Sequence, residues 1–131
     1  MPPLDPGIQN WFRRADSDLL NIENNLAASS TPWDTVAYHS QQVGEKYLKA
    51  MIAFHEDLVP KIHDTVALHT ICARLDPRVS PLRPDCEALN RFGGVLRYPS
   101  PLYEPTAEDA REMYVAAKRV RAEIRRLLGA D

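Results

Sequence analysis

The sequence predicts an all-α fold, an antiparallel, up-and-down bundle of four to five helices. Three observations predict it. Apolar residues recur at spacings of three and four along each long proline-free stretch, which is the stripe of an amphipathic helix. The eleven prolines cluster at 2–6, 77–84 and 99–105, with singles at Pro32 and Pro60. A helix interior rejects proline, which lacks an N–H and clashes with the preceding turn. No stretch shows the strict alternation or β-branched density of a strand.

The first helix is expected from about Ile8 to Leu26, with Trp11, Ala15, Leu19, Ile22 and Leu26 as its apolar stripe and Arg13, Arg14, Asp16 and Asp18 on its polar face. Ala28-Ser29-Ser30-Thr31-Pro32 breaks the chain. Thr31 is placed to cap the second helix, Pro32 suits its first position and Asp34 its third. That helix runs to about Glu56. Val36, Ser40, Val43, Tyr47, Met51 and Phe54 fall on one side, and Gln42, Glu45, Lys46 and Lys49 on the other. Gly44, close to the apolar side, would let a neighbouring helix approach. A third helix is expected from about Asp64 to Leu75, with Ala67, Ile71 and Leu75 inward. A loop carrying Pro77, Pro81 and Pro84 leads to a fourth, from about Asp85 to Leu96, weakened at its end by Gly93-Gly94. Arg97-Tyr98-Pro99-Ser100-Pro101 follows, with Tyr98 and Ser100 pushed into extended backbone by the prolines after them. The last helix has the clearest signals. Thr106 and Asp109 form a capping-box pair, and Ala110, Met113, Tyr114, Ala117, Val120, Ile124, Leu127 and Leu128 form its apolar face. Acidic residues open it and basic ones close it, as the macrodipole favours.

The 131 residues fit a single domain, with 1–7 a flexible N-terminal segment. A chain with 44% hydrophobic and 26% charged residues has ordinary globular composition. The net charge of −2 argues against a non-specific nucleic-acid binder, which would carry a basic excess, but it leaves room for a local basic groove. Two cysteines, Cys72 and Cys86, are too few for a disulfide framework and read as core or helix thiols in a reducing compartment. The N-terminus has neither a basic nor an apolar signal region, and no apolar run approaches the ~20 residues of a membrane span. A soluble, cytoplasmic protein with no membrane partner is the expectation.

Three constellations could carry chemistry. The polar side of the second helix sets Gln42, Glu45, Lys46 and Lys49 on one face. Such a run is commonly a solvated face, with Glu45 and Lys49 as an i,i+4 pair worth ~0.3–0.5 kcal/mol. His63-Asp64 at the start of the third helix reads as a cap with a polar neighbour, or as part of an acid–base site. Arg97-Tyr98-Pro99 could clamp a phosphate and stack a base, or pin the loop to the bundle. Arg121 projects toward the apolar side of the last helix, where it either snorkels or marks a partner surface. His39, His55, His63 and His69 lack metal-ligand spacing, no glycine-rich phosphate loop is present, and no cofactor is expected.

These residues resemble the HEPN (higher eukaryotes and prokaryotes nucleotide-binding) domain, in the branch associated with minimal nucleotidyltransferases. The matching pieces are Ala15-x-x-Asp18-Leu19, Gln42-x-x-Glu45-Lys46-x-x-Lys49-Ala50, His63-Asp64 and Arg97-Tyr98-Pro99, in order across nearly the whole chain. The resemblance implies a homodimer whose cleft is lined by the second and third helices and the Arg-Tyr-Pro loop. It implies a nucleotide or RNA ligand and a small nucleotidyltransferase partner, in a system of the toxin–antitoxin kind. Some family members are metal-independent ribonucleases with an Arg and a following His separated by four to six residues. Here no Arg stands at that distance before any His, and the last helix has no His.

The expected function is therefore a non-catalytic nucleotide-, RNA- or partner-binding module. Gln42, Glu45, Lys46, Lys49, His63, Asp64, Arg97 and Tyr98 are its candidate site residues. One alternative is a divergent metal-independent ribonuclease using His63 with Arg97 or Lys46. Another is a purely structural dimerisation domain.

Overall fold

In a computed structural model, residues 3–93 and 104–130 are described, and among them are five α-helices, one 3-10 helix and no strand. They are α1 (Pro6–Leu26), α2 (Trp33–Phe54), α3 (Thr65–Leu75), the 3-10 helix Pro77–Leu82, α4 (Arg83–Leu89) and α5 (Ala107–Leu127). None is long and apolar enough to cross a membrane.

Helix α2 is the centre of the bundle and packs against α1, α3, α4 and α5. Side-chain pairs fix the directions. Down α1, Asp18 meets His39, Asp16 meets Tyr47, and the Phe12 ring lies 4.9 Å from that of Tyr47, so α1 and α2 are antiparallel. Glu23 meets Tyr114 and Asp16 meets Arg121, so α5 also runs opposite to α1. The core between them holds Ile8, Phe12, Ala15, Ile22, Val36, Val43, Tyr47, Met51, Met113, Val120 and Ile124.

Local chemistry accounts for the helix ends. α1 begins two residues earlier than Ile8, because the Asp5 carboxylate accepts from Gly7 N at 2.7 Å and Pro6 is preorganised for a first turn. Leu4 packs against the core. The N-cap of α2 is Pro32 rather than Thr31, and no side chain caps it. α2 ends at Phe54, where Glu56 takes a left-handed φ of 57° and turns the chain away. Asp64 caps α3, accepting from Val66 N and Ala67 N. The Thr106–Asp109 capping box of α5 is present in both directions.

The structure differs from the sequence expectation in three further places. The proline-rich 77–82 segment is a 3-10 helix, opened by the Asp76 carboxylate on Arg78 N and tied to α3 by His69 Nε2, which donates to the Val79 carbonyl at 2.8 Å. α4 starts at Arg83, since Pro84 fits a first turn, and it ends at Leu89; Asn90 to Gly93 form turns, and the expected continuation to Leu96 lies outside the described residues. α3 is rotated from its predicted face. Thr65, Leu68, His69 and Cys72 point inward, while Ala67, Ile71 and Leu75 are only partly covered. Thr65 Oγ1 donates to the Cys86 carbonyl at 2.7 Å, and Cys72 Sγ donates to the Leu48 carbonyl at 3.3 Å. Those two anchors set the rotation.

Candidate functional site

The polar side of α2 is interior, not solvated. Gln41, Gln42, Glu45 and Lys49 are each more than nine-tenths buried. On a helical wheel, Gln41, Glu45, Lys49, Gln42, Lys46 and His39 span a continuous sector of about 160°, at 100° per residue. Contacts on both flanks of this sector explain how a buried helix can be polar.

Glu45 is the hub of the first flank. Its Oε2 accepts from Lys49 Nζ at 3.1 Å, and its Oε1 accepts from Gln41 Nε2 at 3.2 Å and Gln42 Nε2 at 3.4 Å. Its two oxygens lie 3.0 and 3.1 Å from His63 Nδ1. Gln41 Nε2 also donates to the His63 carbonyl at 2.6 Å, which pins the connector before α3 to the middle of α2. The Glu45 side chain is 6% exposed and that of His63 54%. A buried carboxylate thus holds one imidazole nitrogen and leaves the ring at the surface. With Nδ1–H donated to Glu45, the neutral tautomer carries its lone pair on Nε2, available to take a proton or accept a hydrogen bond.

Asp18 of α1 is the hub of the second flank. It binds His39 Nδ1 at 2.7 Å and ion-pairs with Lys46. Burial would raise the Asp18 carboxyl, but the hydrogen bonds and charges of His39 and Lys46 outweigh it and hold the group below its ordinary 3.8. Asp16, two residues earlier on α1, accepts from Tyr47 Oη at 2.6 Å and from Arg121 Nε at 2.9 Å. Burial, with that bond to Asp16, pushes the Tyr47 hydroxyl up to about 12. Arg121 is therefore ion-paired inside a contact between α1 and α5. Asp16 and Asp18, expected on the polar face of α1, instead bond to side chains of α2 and α5.

The structure thus brings Gln42, Glu45, Lys49 and His63 together and places Lys46 on the adjoining flank with Asp18. The Asp64 carboxylate is taken up in capping α3. Arg97, Tyr98 and Pro99 lie outside the described residues. Sequence reasoning left Gln41, Asp18 and His39 out of the candidate site, although Asp18 lies in the family-matching piece Ala15-x-x-Asp18-Leu19. The i,i+3 and i,i+7 spacings from His39 to Gln42 and Lys46 put His39 on the polar side, but its partner depends on the register of α1 against α2. Among the described residues, no group of three or more His, Cys, Asp or Glu is placed to hold a metal ion.

No curated protein and no solved structure matches the sequence significantly. A family model, that of the HEPN domain, matches residues 8–127, from the first turn of α1 to the last residue of α5. That span takes in all five helices and both carboxylate hubs, and on it the chain belongs to the HEPN domain family.

Proposed function

We propose that this chain is a nucleotide- or RNA-binding HEPN module, non-catalytic and homodimeric, working in a pair with a small nucleotidyltransferase of the toxin–antitoxin kind. Its ligand site is the edge of α2 beside the start of α3. The supporting observation is the buried Glu45 hub carrying a half-exposed His63. Removing Glu45 and Lys49 from water costs several kcal/mol per ion before their attraction is counted, and apolar side chains of similar volume would avoid that cost. What the network supplies is position. Gln41, Gln42, Lys49 and His63 converge on one carboxylate, and the His63 ring is held where a phosphate or a base edge can reach it. Lys61, two residues before His63 in the same connector, is exposed.

Calorimetric titration with ATP and with a short structured RNA tests the reading. His63→Ala should weaken binding about tenfold or more while the melting temperature stays within a few degrees, because the ring is half-exposed. Lys46→Ala and Arg97→Ala extend the test to the rest of the proposed cleft. Unchanged affinity in all three variants overturns the assignment. The pairing is tested by the neighbouring reading frame, where absence of a small nucleotidyltransferase would remove it.

The Glu45–His63 contact also favours a second reading, a metal-independent ribonuclease. A carboxylate that fixes the imidazole tautomer is the arrangement that prepares a general base, here Nε2 toward a ribose 2′-hydroxyl, with Arg97 or Lys46 as the cation. Cleavage of structured RNA in EDTA that disappears in His63→Ala would establish the enzyme, and intact RNA would leave the binding module.

A further inference from the structure

A second face of the molecule carries its own signal, far from His63. A cleft of about 450 Å3 opens where the start of α1 meets the ends of α2 and α5. Leu4, Ile8, Trp11 and Phe54 supply its apolar wall, and the charged residues lining it, Asp5 and Glu56, are both acidic. Phe54 is 41% exposed, and Leu58, in the turn that follows, is 90% exposed. Glu56 and Asp57 stand between them, and both are exposed. Of these two exposed apolar side chains, Phe54 lines the cleft itself, with the acidic Glu56 beside it. Isolated exposed apolar residues need no explanation, but a concave apolar patch with a rim of one charge does. Phe54 lies on the opposite side of the α2 wheel from Glu45 and roughly 13 Å further along the helix, so this face is separate from the Glu45–His63 edge.

We propose that this cleft docks a basic amphipathic helix of another protein, its apolar side chains filling the space between Trp11 and Phe54 and its Lys or Arg residues facing Asp5 and Glu56. Charge complementarity selects the occupant, since the lining carries carboxylates and no Lys or Arg. A second copy of the chain does not fit that description. Its basic helix end, Arg119 to Arg126, flanks apolar positions already buried at Val120, Ile124 and Leu128. An anchor of this kind is read at i, i+3, i+4 and i+7, the spacing of the helix-in-groove mode. The inference stands apart from the nucleotide reading and would survive its failure.

The test is calorimetry of the full chain with two synthetic 14-residue helical peptides, one of Leu and Lys and one of Leu and Glu in the same amphipathic pattern. The Leu/Lys peptide should bind saturably and the Leu/Glu peptide should not. Phe54→Ser and Glu56→Lys, both at exposed positions, should each weaken the Leu/Lys peptide about tenfold. Asp34→Lys, which changes net charge equally at an exposed position in the first turn of α2, should leave the affinity unchanged. The proposal is overturned if neither peptide binds, if both bind alike, or if Phe54→Ser has no effect. Equal weakening by Asp34→Lys also overturns it, leaving net charge alone as the cause. If sedimentation shows an oligomer that Phe54→Ser dissociates, the occupant is a second copy and the proposal falls. ATP titration of the same variants reads the other face separately.

Discussion

Asp18 links the stability of the bundle to pH. Its carboxyl is held below 3.8 because His39 and Lys46 together outweigh the effect of burial. A depressed carboxylate stabilises the fold at every pH above its unfolded value and gives that stability up as pH falls through the folded one. Asp18→Asn should therefore destabilise the protein at pH 7 yet lose less further stability than the parent between about pH 5 and pH 3. Melting temperatures across that range check this, and parallel curves for the two proteins would contradict it. The residue scale is also where sequence reading was weakest. Glu45 and Lys49 were visible as an i,i+4 pair, but such a pair looks the same in water and in a bundle. Their burial comes from elements distant in sequence, such as His63 on the connector, 18 positions from Glu45. Arg97 and Tyr98, two of the candidate site residues, lie outside the described residues.

At the scale of elements, capping signals were read well where the chemistry is local. Thr106 with Asp109, and Asp64 before Thr65, sit where turn chemistry puts them. Helix rotation was not legible, because it is set by partners. The inward face of α3 follows from Thr65 and Cys72 reaching carbonyls of Cys86 and Leu48. Gly44 shows the same interdependence from the side of α2. A methyl group there would run into Leu89 Cδ1 of α4, and Leu89 is itself buried. Gly44→Ala gains about 1 kcal/mol of helix propensity, but overpacking a filled site costs ~1–3 kcal/mol. The variant should be net less stable by about 1 kcal/mol in urea denaturation. Leu89→Ala should then cost less in the Gly44→Ala background than in the parent, because the new methyl group occupies part of the space it empties. Additive losses would show that the two helices do not meet at this point.

Over the whole molecule, fold class was plain from the proline spacing and the 3,4 stripes, while the central position of α2 was not. A helix that is polar on one side looks like a surface helix until its neighbours are known. The two thiols report on the intact bundle. Burial pushes both Cys72 and Cys86 up to about 12, so neither carries appreciable thiolate at neutral pH. Both should resist a disulfide reagent such as DTNB in the native state and react together on unfolding, at a rate that falls as the protein is stabilised. Fast reaction of one thiol under native conditions would reveal a local opening of α3 or α4.

The side chains that meet Glu45 among the described residues also limit how the gene can change. Losing Lys49 leaves the Glu45 charge without its buried counter-ion, and losing Glu45 strands Lys49, so single substitutions at these buried positions are penalised even where each replacement suits a helix. Viable drift must then proceed by coordinated exchange, with Glu45 and Lys49 giving way together to apolar residues, or not at all.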